Sequence, residues 1–315
     1  MKIQIIALNR EYKPKYANMR WHRLPLLFEK LGHDVDQVLI QDWKKFYIRY
    51  LKFKPDVIIS VGIVGFLPAI IKKLKLINSP IIHDWTDDYT DIMGKKYGID
   101  RVAFLEHFII KNSDLITTPS KYLQKKCDLF GKDAVYIPHG VNTDFIKGQP
   151  KKLPGKMKVL YVGSQSDNKL ANKILDSVDG LDCDLYLVGK INENLRSKAA
   201  KNTHFIGEVK HTEVPKYIRA ADIMIFAADD DSTLKMFEYL KAGKPIVTLK
   251  GRPGYVLDNN VNALLVDNLQ EGLKKLIADE KLRKKLAQNA KKFKIYTWEE
   301  IAKMYLKFLE TVVKK

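Results

Sequence analysis

The run from Ala221 to Leu249 constrains the fold more than any other part of the chain. Ala221-Asp222-Ile223-Met224-Ile225-Phe226-Ala227 is an apolar, β-branched stretch of strand length, and Ile246-Val247-Thr248-Leu249 is a second. Between them Ser232 is placed to cap a helix over about 233–242, Gly243 is placed to stop it, and Pro245 stands just beyond. Two buried strands joined by a single helix form a parallel pair with a crossover, and parallel sheets need helices on both faces. Strand-like runs recur through the chain, at 3–8, 56–61, 80–85, 114–118, 134–137, 158–162, 185–188 and 203–207. The fold class is therefore α/β, and 315 residues suit two doubly wound, Rossmann-like domains of about 150 each.

The start of the 233–242 helix falls at the carboxyl end of a strand, where open α/β sheets bind ligands. Backbone N–H groups at Ser232, Thr233 and Leu234, with the helix dipole, make an anion site there. Lys235 and Glu238 stand three apart and share one helix face. A cation beside a phosphate site and an acceptor one turn deeper suit a nucleotide diphosphate, with the ribose hydroxyls on the carboxylate.

On these residues the chain resembles the retaining GT-B glycosyltransferases of the large glycosyl transferases group 1, or family 4-like, superfamily. The resemblance rests on an acid at Asp230, Glu238 eight residues on, and the turn Ala242-Gly243-Lys244-Pro245. It departs in having Asp at 230, where Glu is usual, and Asp231-Ser232-Thr233 in place of Gly-Phe-Gly. It implies two domains facing across a cleft, with a last helix from Trp298 crossing back to the first domain. It also implies a nucleotide-sugar co-substrate, UDP- or GDP-linked, and no metal or other cofactor. Lys158 to Ser164 matches the strand whose exit holds donor phosphates: Gly163 is kept, Ser164 replaces an Arg, and Lys169 fits the following Lys. Gly189 ends a further strand, and Val209 matches the position that holds the base through main chain. The resemblance makes Lys235 and Glu238 donor-site residues with catalytic weight, and it gives Asp230 to the sugar hydroxyls.

In the first half, Pro80-Ile81-Ile82-His83-Asp84-Trp85 is a short strand whose end delivers His83 and Asp84. The resemblance places His83 beside the reacting sugar. Asp84, Asp87, Asp88 and Asp91 follow in one stretch; polyol recognition is expected of them rather than metal binding, with Asp84, Trp85 and Asp87 on the acceptor side. Residues 10–15 after the first strand hold no glycine, which argues against a dinucleotide loop there. Arg20 and Arg23 are read as a solvated helix face. In the 43–53 segment, Trp43, Phe46, Tyr47, Tyr50 and Leu51 fall on one helical stripe, read as packing against the sheet in preference to lying on a membrane. A turn-rich stretch at 148–155 marks the expected boundary, giving domains at 1–150 and 151–297 and a returning helix at 298–315.

The net charge is +18, spread over both halves. It suits anionic partners: nucleotide sugars first, and an anionic membrane surface as a further candidate. Nucleic acid is not expected. Two distant cysteines argue for neither disulfides nor a metal site, and no apolar run approaches membrane-span length. A cytoplasmic protein without a leader segment is expected, peripheral to the inner membrane face if its acceptor is lipid-linked. Walker, nucleophile-elbow and Cys/His metal patterns are missing. The sequence thus predicts a glycosyltransferase acting on a glycan or lipid-linked acceptor. A nucleotide-sugar epimerase of the same fold is one alternative, and a non-catalytic basic protein binding polyanions or membranes is the other.

Overall fold

The structure, a computed structural model, describes residues 1–7, 20–142, 148–164 and 168–313. The chain divides into two compact units, Met1–Gly140 with Tyr296–Lys315, and Val141–Ile295.

In the first unit the elements run β1 (Lys2–Ala7), α1 (Arg20–Lys30), β2 (Asp34–Leu39), α2 (Phe46–Phe53), β3 (Val57–Val61), α3 (Phe66–Lys73), β4 (Ile81–Asp84), α4 (Tyr89–Tyr97), α5 (Ile99–Lys111), β5 (Leu115–Thr118), α6 (Lys121–Cys127) and β6 (Ala134–Tyr136). The strands form one parallel sheet in the order β2-β1-β3-β4-β5-β6. β3 and β4 are buried at every position, as continuous apolar strands covered on both faces must be. The chain moves one way across the sheet from β1 to β2, and the other way at every later step. Right-handed crossovers therefore put α2, α3, the α4–α5 pair and α6 on one face and α1 on the opposite one.

In the second unit the order is β7 (Lys158–Val162), α7 (Asn168–Asp176), β8 (Asp184–Val188), β9 (Thr203–Gly207), α8 (Val214–Ala220), β10 (Ile223–Phe226), α9 (Leu234–Lys241), β11 (Ile246–Leu249), β12 (Leu264–Val266), α10 (Leu269–Ala278) and α11 (Glu280–Lys292). Its parallel sheet reads β12-β11-β10-β7-β8-β9. This is the Rossmann order, and the direction of winding reverses between β7 and β10. Two apolar clusters sandwich the sheet, one holding α8 and α9, the other α7 and α10.

The chain then returns, and α12 (Trp298–Val313) packs on α1 in the first unit. Tyr305 meets Trp21 edge-on at 5.7 Å between ring centroids and Phe28 at 5.9 Å. Two Rossmann-like units with a returning C-terminal helix are the GT-B architecture.

Three expectations change here. The division falls at Gly140, ahead of the turn-rich 148–155 stretch, because that stretch is fastened to the second unit. Lys151 N donates to Lys216 O (3.0 Å), Tyr186 Oη donates to Pro154 O (2.6 Å), and Leu153 packs on the core. The 43–53 segment is not one helix: residues 40–45 form a tight 3₁₀ turn before α2, so the 3.6-residue stripe fails. Phe46 is buried, and Tyr47 and Tyr50 pack on its cluster, but Leu51 is 52% exposed. The Trp43 side chain lies outside the described residues, as does the 10–15 loop. Arg20, read as solvated, is 3% exposed.

Candidate active site

The reversal between β7 and β10 opens a crevice at the carboxyl ends of these strands. β7 leads to Gly163 and Ser164, β8 to Gly189, and β10 to the 227–233 loop and α9. Gly163 N donates to Val188 O and Gly189 N to Gly207 O, both at 2.8 Å. A Cβ on Gly189 would stand 2.2 Å from Gly163 O, and φ there is +137°. Only glycine fits, so both β-strand exits present bare backbone to the crevice.

The 229–233 loop is tied down by its own acids. Asp230 Oδ1 accepts from Ser232 N (2.7 Å) and Ser232 Oγ (2.8 Å), and its Oδ2 accepts from Thr233 Oγ1 (2.7 Å). Asp229 Oδ1 takes Arg252 N at 2.7 Å. Asp231 is buried. This corrects the expected cap. A carboxylate accepting three donors outcompetes a serine hydroxyl, so Ser232 is drawn into the loop and Thr233 becomes the N-cap without a side-chain cap bond. The Ser232 N–H is committed to Asp230. Thr233 and Leu234 head the helix, where geometry denies the first N–H groups an intrahelical acceptor.

α9 is positioned by its apolar side. Met236, Phe237, Tyr239 and Leu240 are buried, and the Tyr239 hydroxyl accepts Val162 N (3.2 Å), pinning the helix to β7. Gly243 at φ +62° closes it, with Lys244 N donating to Tyr239 O. Lys235 and Glu238 then stand a turn apart on one side of α9, with Lys235 reaching Gly163. Lys235 Nζ lies 5.6 Å from the Tyr161 ring centroid, and a Cβ on Gly163 would meet it at 2.8 Å. Burial lowers the Lys235 pKa, opposed by the charges of Glu238 and Asp230. Burial pushes the Glu238 carboxyl up to about 7, against the pull of Lys235. His211, absent from the sequence reading, stands with Nε2 3.7 Å from Glu238 Oε1. Only tertiary folding brings it there, since it lies in the loop after β9. Val209 is half-buried on the same core, Ser164 is exposed, and the Lys169 side chain lies outside the described residues.

In the first unit, β4 carries His83 and Asp84 as read, but inward. His83 is 2% exposed; its Nδ1 shares a 3.0 Å hydrogen bond with Ser60 Oγ, and the turn at Gly65 packs against it. Burial lowers its pKa to about 4, so the imidazole is neutral at pH 7. It lines a small pocket with Gly62, Ile63, Trp85, Tyr89 and Glu106.

Asp84 and Trp85 are corrected from the acceptor side to the core. Asp84 is fully buried and binds Arg20 Nε (2.9 Å), Trp21 Nε1 (2.7 Å) and Thr117 Oγ1 (2.6 Å), while Trp85 Nε1 donates to Glu106 (3.1 Å). A buried carboxylate demands such partners. Asp88 caps α4 and pairs with Lys126, and Asp87 and Asp91 are the exposed acids of the group. Among the described residues no three His, Cys, Asp or Glu side chains converge as a metal site.

Residues 142–293 match the family described as glycosyl transferases group 1. That match lies within the second unit, and the fold of the chain is of the GT-B type. This GT-B protein is 26% identical over 204 residues to an uncharacterised glycosyltransferase of Methanocaldococcus jannaschii, a region covering 60% of this chain and 57% of that one. The chain thus spans little more than half of that relative's length. Its fold is similar to that of Anabaena HepE in complex with UDP-glucose, with a TM-score of 0.72 at 15% identity over 99% and 100% of the two chains. It is also similar to a UDP-GlcNAc 2-epimerase from Neisseria meningitidis bound to UDP-GlcNAc, with a TM-score of 0.62 at 14% identity over 99% and 100%. No helix of this GT-B protein, among the described residues, is long and apolar enough to cross a membrane.

Proposed function

We propose that the protein is a retaining glycosyltransferase that moves a sugar from a UDP- or GDP-linked donor to a glycan or lipid-linked acceptor. One observation carries this reading: Lys235 and Glu238 stand a helical turn apart on α9, with Lys235 Nζ against Gly163 at a strand exit, where the winding of the sheet reverses. The reaction separates an oxocarbenium-like sugar from a diphosphate. Charge growing on the leaving oxygen calls for fixed donors, which Lys235 and the N–H groups of Thr233 and Leu234 supply. Lys169 adds a second cation from the start of α7. Glu238 accepts the ribose hydroxyls and Val209 main chain holds the base. Asp230 keeps lone pairs for the sugar after fastening its loop. His83, neutral and in the unit without the phosphate loops, serves turnover rather than donor binding. Cytoplasmic placement follows from the supply of nucleotide sugars.

Thermal stabilisation of the protein by UDP, GDP, ADP and their sugars tests the donor site. A shift with one nucleotide series, lost in Glu238→Ala, is the expected result; no shift with any nucleotide would overturn the proposal. His83→Ala should keep the shift and lower kcat by about a hundredfold or more. The likeness to a nucleotide-sugar 2-epimerase favours that activity as a second reading. Donor incubated alone and examined for an epimer separates the two.

A further inference from the structure

We propose that Tyr161 is a further substrate-binding residue of the donor site, its hydroxyl donating a hydrogen bond to the β-phosphate of the nucleotide sugar. The inference rests on the donor reading above and adds to it a residue that the helix and its acids do not supply. Tyr161 stands in β7, opposite Leu187 of β8. It is 5% exposed, and its ring belongs to the apolar cluster that also holds Ala171 and Ile174 of α7. Positions 161 and 163 of an extended chain face the same side. Residue 163 is glycine, so the ring can run along the strand and bring its polar end to the exit. A Cβ on Gly163 would meet Tyr161 Oη at 2.6 Å and Tyr161 Cζ at 2.9 Å. The same Cβ would meet Lys235 Nζ at 2.8 Å. Two polar ends, one from β7 and one from α9, thus converge over the Gly163 backbone. A side chain at 163 would fill the point between them.

The chemistry at that point selects an acceptor. A phenol hydroxyl donates one hydrogen bond and an ammonium can only donate, so a ligand atom that meets both is an acceptor oxygen. The Lys235 charge is already shared, because Glu238 and Asp230 act on it. A further buried cation would carry a large desolvation cost, whereas a phenol adds a donor without one. The donor is also fixed in advance. β7 is hydrogen-bonded to β8 on one edge and β10 on the other, and a tyrosine ring has two side-chain torsions to settle. Such a preset donor costs no reorganisation when charge grows on the substrate. In the donor reading Lys235 meets the charge on the leaving oxygen, which belongs to the β-phosphate. The hydroxyl beside it meets the same phosphate.

Calorimetric titration of the full chain with UDP and UMP, and with GDP and GMP, tests the assignment. The wild type should bind one diphosphate at least about tenfold more tightly than its monophosphate. Tyr161→Phe keeps the ring and should narrow that gap about tenfold, by weakening the diphosphate while the monophosphate changes less than about twofold. Tyr186→Phe, in the neighbouring strand, removes a hydroxyl that donates to Pro154 O at 2.6 Å and should leave the gap as it was. An unchanged gap in Tyr161→Phe would overturn this inference and leave the donor reading standing. So would equal weakening of mono- and diphosphate, equal narrowing by Tyr186→Phe, or a wild type that holds the two nucleotides alike. A wild type that binds none of the four nucleotides would overturn the inference and the donor reading together.

Discussion

Glu238 shows how one residue serves opposite demands. Burial raises its folded pKa to about 7, above the 4.5 of an unperturbed glutamate. The stability it allows is therefore complete below about pH 4.5 and is lost as pH rises through 7. Ribose hydroxyls prefer the carboxylate as acceptor, so donor affinity should run the other way and strengthen as pH rises through 7. Calorimetric titration with a nucleotide sugar, whose diphosphate does not titrate in this range, should find that slope in the wild type and a flat profile in Glu238→Gln. Unliganded Glu238→Gln should melt higher than the wild type at pH 8. His211→Ala should weaken the donor only a few-fold, because that pair is 3.7 Å apart and its histidine half-exposed. The spacing of Lys235 and Glu238 was legible because a helix turn fixes it. His211 was not, since nothing local relates a loop after β9 to a helix after β10.

Among the elements, the strand exits of the second unit carry the strictest requirement. Gly189→Ala must place a methyl group against Gly163 O while holding φ at +137°, so backbone has to move. A loss of about 2–4 kcal/mol in denaturant unfolding is expected, with nucleotide binding weakened as β7 and β8 part. Retention of wild-type stability would mean that the two exits are not locked. The helix cap teaches a related lesson. Ser232 has the residue type of an N-cap, yet Asp230 two positions earlier draws in both Ser232 and Thr233, so the helix begins one residue later than its sequence signal. Residues 43–53 fail for a similar reason: a stripe drawn at 3.6 residues does not survive the 3₁₀ turn before α2.

At the scale of the whole molecule, the first unit is completed by the last helix. Tyr305 Oη and Thr117 Oγ1 lie 2.7 Å apart beside Asp84, whose charge is held by Arg20, and Arg20 Nη1 also donates to Pro138 O (2.9 Å). Tyr305→Phe removes one hydroxyl and should cost about 1–2 kcal/mol. Arg20→Ala strands the Asp84 charge and should cost about 3–5 kcal/mol. Equal, small losses in both would show that Asp84 is not held by Arg20. By itself the sequence determined the strand–helix alternation, the parallel sheets, the glycine exits and the Lys235–Glu238 spacing, because local periodicity and turn chemistry govern them. Tertiary structure alone decided which polar residues point inward. Arg20, Asp84 and Trp85 read as surface groups until α1, β4, β5 and α12 close around them, and burial, which sets their pairing and the titration of Glu238 and His83, depends on neighbours distant in the chain.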